Sequence, residues 1–322
     1  MPLQQQPFGM NPVPLRQQTF GMNPPSSPPP SVKATDLIAI AVQANLPVLI
    51  HGGSGVGKTA FMASLATALQ YQCETLIGAT REPTDITGWH WVTSNGNGQA
   101  AMQVIPPPWA ERLRHAAKGI VFMDELSSSP PAMQAAMLRY VAEGRLEDAD
   151  LAHIARAAAA NPADIAAGGW DLAPSLANRF LHVQWTVDPG AWIDGTLLGW
   201  PAPTVPRLDA ALLQMTLPAE RATVASYIQA QPHKLYQYPK DRLDQASAAW
   251  PSPRTWTYVM RARAACIGAG APHLADAITT ACVGAGAAAE YIIWRATADL
   301  PDPETLLIDH AGFVELSRRR PD

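Results

Sequence analysis

The sequence predicts an α/β protein: a parallel-sheet αβα core, then a smaller all-α region, with a disordered Pro/Gln-rich tail in front. Three observations carry that expectation. Short apolar runs alternate with segments of helical spacing between residues 33 and 188, as strand–helix–strand units do. A glycine-rich turn joins the first of these runs to a helix. Beyond about Pro189 the strand-like runs stop, and prolines punctuate segments of helical character. The chain is thus divided into a tail (1–32), a core (33–188) and a helical lid and C-terminal region (189–322).

The tail has almost no aliphatic residues at helical or strand spacing, so it cannot bury enough apolar surface to offset the entropy of ordering. It contains a repeat: Leu3 to Pro12 returns, with changes, as Leu15 to Pro24, including Phe-Gly-Met-Asn-Pro both times. Two readings fit, a low-complexity duplication or a doubled Phe-Met docking peptide acting through effective concentration. The core opens with a helix over Ala34 to Ala44, stopped at Leu46-Pro47. Val48-Leu49-Ile50 is a buried-strand run, followed by the glycine turn and a helix from Lys58 to about Leu69. Thr75 to Ile77 and Gly119 to Met123 read as strands, and Ala132 to Val141 as a helix. Ala152 to Ala160 reads as a fourth strand, although its alanines also suit a helix. Phe180 to Val187 reads as the fifth.

Composition narrows the function. With 322 residues, 48% hydrophobic and 16% charged, the chain can build a substantial core. A formal net charge of −4 gives no global field to attract nucleic acid or an anionic membrane. Cys73, Cys266 and Cys282 form no CxxC pair, and the eight histidines show no metal spacing. No run of ~18 apolar residues and no signal-peptide pattern occurs, so a cytoplasmic protein is expected.

The chemistry sits in Gly52-Gly53-Ser54-Gly55-Val56-Gly57-Lys58-Thr59, which fits G-x-x-x-x-G-K-T. Glycines allow backbone N–H groups to wrap a phosphate, and the following helix turns its positive end toward it. Lys58 is expected to reach the β- and γ-phosphates of ATP, and Thr59 to ligate Mg²⁺. Gly55 to Ala60 also fits the looser dinucleotide turn G-x-G-x-x-A, but that turn needs neither the Lys-Thr pair nor a second acidic site. Such an acidic site follows about 65 residues later: the strand Ile120 to Met123 runs into Asp124 and Glu125. Asp124 is expected to hold Mg²⁺ and Glu125 to polarise the attacking water. Asn161, closing the fourth strand, is placed to orient that water, or else is only an Asn-Pro turn residue. Ser127-Ser128-Ser129-Pro130-Pro131 reads as a helix N-cap with a proline start.

These residues resemble the AAA+ ATPases, and within them the MoxR-like, dynein-related branch, over roughly residues 33–260. Gly52 to Thr59 is similar to Walker A, Val121 to Glu125 to Walker B and Asn161 to sensor 1. Pro174 to Phe180 resembles the segment ending in Asp-Arg-Phe, with Asn178 in place of the Asp, which makes Arg179 the trans-acting arginine finger. Ser252-Pro253-Arg254-Thr255 resembles sensor 2, which assigns Arg254 to the nucleotide. Arg81 to Gly88 is similar to the lead-in to a helix-2 insertion, formed and closed by the stretch through Pro108. Trp89-His90-Trp91 on that insert either packs under its own loop or grips a partner at the pore.

The resemblance implies a Mg²⁺-dependent ATPase that assembles into a ring of hexameric type. It also implies a chaperone or remodelling function on a protein client, with partners bearing a von Willebrand factor A domain. Two other classes stand beside it. One is a nucleic-acid-directed AAA+ motor of the restriction or clamp-loader kind, against which the charge counts. The other is a nucleotide-gated scaffold with little turnover, against which the intact Lys58, Asp124, Glu125 and Arg179 count.

Overall fold

The computed structural model describes residues 31–94, 96–146, 149–161, 170, 172–240 and 246–298. Almost all of the expected tail, including its repeat, lies outside them. Helix α1 (Ala34–Gln43) buries Leu37 to Val42 and stops before Pro47, as the sequence required. Strand β1 (Val48–His51), helix α2 (Lys58–Leu69) and strand β2 (Gln72–Ile77) follow. A one-turn helix α3 (Thr84–Thr87) leads into a hairpin of β3 (Trp89–Ser94) and β4 (Ala100–Ile105), then α4 (Pro108–Arg114) and β5 (Gly119–Asp124). Helix α5 (Pro131–Glu143), a short ladder of β6 (Arg145–Leu146) and β7 (Ala149–Asp150), and strand β8 (Ala155–Ala160) come next. Helix α6 (Pro174–Ala177) and strand β9 (Leu181–Gln184) complete the α/β part. The described residues that follow contain the helices α7 (Pro189–Leu198), α8 (Ala210–Ala230), α9 (Pro253–Gly268), α10 (Ala275–Val283) and α11 (Ala285–Thr297).

Five strands form one parallel sheet in the order β2-β5-β8-β1-β9. Side chains alternate faces along a strand, and both faces are covered. Val48, Ile50, Ile120, Phe122, Ala157 and Ala159 join a core with α1, α2, α9 and α10. Leu49, Val121, Met123, Ala158 and Ala160 join a second core with α4, α5 and α6. Burial on both sides explains the near-continuous apolar runs that made these strands legible. It also settles Ala155 to Ala160 as strand: small side chains let helices approach this central strand from both faces, and register with β1 and β5 supplies its backbone bonds.

Some boundaries differ from expectation: β2 begins at Gln72 rather than Thr75. The fourth strand begins at Ala155, not Ala152, because Ala152 N donates to Asp150 Oδ1 at 2.9 Å and Ile154 N to Leu151 O at 2.9 Å, forming a turn. The fifth ends at Gln184, because its neighbour β1 gives way to the glycine loop at Gly52. The expected insertion is built on a β-hairpin, with register Trp89↔Ile105 to Ser94↔Ala100. Its indoles are not packed beneath it: Trp89 is 59% and Trp91 is 62% exposed.

Candidate nucleotide site

Parallel strands bring the C-terminal ends of β1, β5 and β8 to one edge of the sheet, where loops can meet. The loop Gly52–Gly57 leaves β1 and enters α2 there. Gly55 (φ 76°) and Gly57 (φ 89°) occupy the left-handed region, where any Cβ is strained. Gly52 is needed for a different reason: a Cβ there would lie 2.9 Å from the Trp185 carbonyl oxygen. The N-terminus of α2 has no side-chain cap, so its first-turn N–H groups remain available to an anion.

Lys58 is 7% exposed, and its Nζ donates to Gly52 O and Gly53 O, both at 2.7 Å, and to Asn161 Oδ1 at 3.0 Å. Burial lowers its pKa, while Asp124 and Glu125 pull it back up. Thr59 Oγ1 donates to Asp124 Oδ2 at 2.5 Å, and the other oxygen of Asp124 accepts the Glu125 N–H at 2.9 Å. Glu125 itself sits at φ 56°, an unusual conformation for a non-glycine residue and one that concentrates at functional sites. Ser54 to Ala60, Asp124, Glu125 and Asn161 line one cavity of about 300 Å³. A cavity of about 370 Å³ between α8 and α9 has no ionisable side chain among the described residues that line it, so phosphate chemistry belongs to the smaller one.

The Thr59 hydroxyl and Asp124 carboxylate are hard oxygen donors side by side, which suits Mg²⁺, an ion that keeps several waters and takes one or two protein oxygens. A buried ammonium and uncapped helix N–H groups beside them suit a polyphosphate.

Arg179 and Arg254 do not line this cavity. They lie near one another where α6 meets α9. Asn178, 2% exposed, accepts from Ser252 Oγ at 2.7 Å and from Arg254 Nη1 at 3.4 Å, and donates to Trp250 O at 3.0 Å. The amide is suited to this spot, since an aspartate could not donate to the Trp250 carbonyl. Arg179 donates from Nη1 to Ser175 O, and its buried Nε has no partner among the described residues. Burial, then the Arg254 charge, lowers its pKa.

The sequence reading missed three contributors. The serines after Glu125 do not cap α5, whose N-cap is Pro130. Instead Ser127 Oγ accepts the Asn161 N–H at 3.0 Å, tying β8 to the turn after β5. Trp185 donates from its indole to Val56 O at 2.9 Å. His51 and His182 stack at 5.0 Å, with Nε2 and Nδ1 2.8 Å apart, and His182 Nε2 lies 2.9 Å from Ala177 O. A carbonyl only accepts, so His182 carries its proton on Nε2, and its Nδ1 accepts from His51. Desolvation lowers their pKa values to about 4 for His51, helped by Lys58, and about 3 for His182, helped by His51. The only signal for this pair was two histidines on apolar strands.

A glycine loop between strand and helix, its buried lysine, and a hydroxyl–carboxylate pair alongside define a P-loop nucleotide-binding protein. More closely, residues 47–180 match the model of the AAA domain, dynein-related subfamily. No curated protein matches it. Among solved structures it is similar to a candidate ATPase from Cytophaga hutchinsonii, at 14% identity and TM-score 0.47, over 77% of this chain and 79% of that one. It is also similar to a full-length MCM homolog from Methanopyrus kandleri, at 17% identity and TM-score 0.40, over 81% of this chain and 53% of that one. Both likenesses are too distant to bear on function. No described helix is long and apolar enough to cross a membrane.

Proposed function

We propose that this chain is a Mg²⁺-dependent, ATP-hydrolysing remodelling ATPase of the MoxR type, working in the cytoplasm as a ring on a protein client. The observation that carries the reading is one cavity in which Lys58, Thr59, Asp124, Glu125 and Asn161 converge. The loop N–H groups and Lys58 bind the β- and γ-phosphates of ATP. Thr59 and Asp124 hold Mg²⁺, which when bound supplies positive charge against the phosphate oxygens. Glu125 accepts the proton of the attacking water, and Asn161, fixed by Ser127 and Lys58, aligns that water with the γ-phosphorus.

Arg179 and Arg254 lie outside their own chain's cavity and beside each other. We therefore assign both to the phosphates of a neighbouring subunit, where a cation stabilises charge developing in the transition state. The described helices beyond Pro189 supply the lid that carries Arg254. The protruding hairpin, with Trp89, Trp91, Val92 and Met102 more than half exposed, supports a client-gripping element. A client bearing a von Willebrand factor A domain is the partner we favour.

The experiment is Glu125→Gln. Mg-ATP affinity should stay within about twofold while turnover falls by ~100-fold or more, the range for loss of a general base. Because that variant holds ATP, it should also retain client in a pull-down. Turnover near that of the unaltered chain would show that another group activates the water.

A further inference from the structure

Resting on that reading of the site, we propose that Trp185 is a positioning residue for the phosphate loop, and that its indole N–H turns the Gly57 N–H toward the β-phosphate. Trp185 is the first residue after β9. Its backbone N–H donates to His51 O at 2.7 Å, the last carbonyl before the loop. Its indole Nε1 donates to Val56 O at 2.9 Å, near the far end of the loop. One residue thus holds both shoulders of the turn. Its ring also packs on Phe61 of α2, with centroids 4.8 Å apart, and its carbonyl and Cβ press so closely on Gly52 that no side chain fits there.

The consequence follows from peptide geometry. No described peptide bond is cis, and in a trans peptide the C=O and the following N–H point in opposite directions. The carbonyl of Val56 and the N–H of Gly57 belong to one peptide unit. When the indole draws that carbonyl toward β9, the Gly57 N–H is turned to the other side. Val56 and Gly57 line the cavity and Trp185 does not, so that other side is the cavity. Glycine alone does not fix this orientation: the unit ends on Gly57, and glycine has the widest backbone freedom of any residue. An external anchor on the carbonyl is what holds the N–H in a binding direction before the phosphate arrives, which spares the ligand the ordering cost.

The competing account is that Trp185 only fills space beneath the loop. Trp185→Phe separates the two, because it keeps an aromatic ring against Phe61 and removes the donor. We expect its Kd for ATP and for ADP to rise roughly 5- to 10-fold, the worth of one such bond. At saturating ATP, kcat should stay within about twofold, so the loss appears in KM. The Tm should move by no more than about 3 °C. Phe61→Leu, which disturbs the ring contact and leaves the N–H, should do the reverse, lowering Tm and sparing affinity. Trp185→Phe with unaltered affinity for both nucleotides overturns the proposal, as does a parallel fall of Tm and affinity in both variants. Lys58→Ala, measured beside them, separates the levels: ATP binding retained there overturns the site reading itself, whereas binding retained in Trp185→Phe alone overturns only the role of the indole.

Discussion

The His51–His182 pair shows how closely the chain builds around its loop. Each imidazole satisfies the other while both stay neutral, and the second reaches on to Ala177 O at the end of α6. The pair therefore connects the strand that feeds the glycine loop to the segment that carries Arg179. Neutrality has a cost that depends on pH. In the unfolded chain both histidines protonate near pH 6.5, but in the fold desolvation holds them at about 4 and about 3. Below pH 6.5 the unfolded chain binds more protons than the folded one, so stability is full above that pH and falls as pH drops toward 4. The slope is at most about 1.4 kcal/mol per pH unit for each histidine. Thermal unfolding followed from pH 7 to pH 5 should show Tm decreasing, and His182→Asn should flatten that decrease. A Tm that does not change over this window would mean the pair is charged or open to water in the fold.

At the scale of elements, the sheet ends and their turns decide where chemistry stands. The C-cap of α5 is one such turn. Gly144 has φ 69°, donates to Tyr140 O at 2.8 Å, and leads directly into the β6–β7 ladder that precedes β8. A Cβ there would lie 2.6 Å from Ala152 Cα, which is backbone and cannot step aside. Gly144→Ala should therefore cost about 2–4 kcal/mol, combining left-handed strain with overpacking. Chemical denaturation would measure it, and a loss below about 0.5 kcal/mol would mean the ladder shifts freely. In the helical part, Glu220 (3% exposed) pairs with Arg263 at 3.1 Å and Arg295 at 2.8 Å, locking α8, α9 and α11 together. A buried carboxylate shared by two guanidiniums fixes helix register even where its net contribution to stability is small. That register sets where α9 begins, and hence where Ser252 and Arg254 stand.

For the whole molecule, the arrangement of cations bears on assembly. Arg179 sits away from its own chain's cavity, and α6 and α9 hold it beside Arg254. If the finger acts between subunits, Arg179→Ala should bind ATP as the unaltered chain does and lose roughly 10³-fold or more in turnover. Lys58→Ala should bind no ATP but still present its finger. Equal amounts of the two inactive chains, mixed, should then regain turnover at roughly a quarter of their interfaces, since a head-to-tail ring joins unlike surfaces. An ATPase assay of the mixture decides the matter: no recovery would place the finger on its own subunit's nucleotide. Large apolar side chains at Trp192, Ile193, Leu197 and Leu198 of α7, and at Trp200 just after it, are all exposed and add to the apolar surface that a lone chain leaves in water.

The amino-acid sequence by itself determined the order of the main strands and helices, the glycine loop with Lys58 and Thr59, and the acids that close β5. These are local features: a strand buried on both faces must be apolar along its length, and a loop that wraps phosphate must be glycine-rich whatever lies around it. The hairpin could have been read from its β-branched and aromatic run and the Asn-Gly turn signals, but a glycine-rich stretch masked it. Only the tertiary structure decided that the alanine run of β8 is strand, that Ser127 serves Asn161 and not a helix cap, and that Trp185 and the two histidines brace the loop. Those roles arise from contacts across 34 to 131 residues of chain. No periodicity or spacing encodes such a meeting, because it exists only once the parallel sheet has set β9 beside β1 and β8 beside β5.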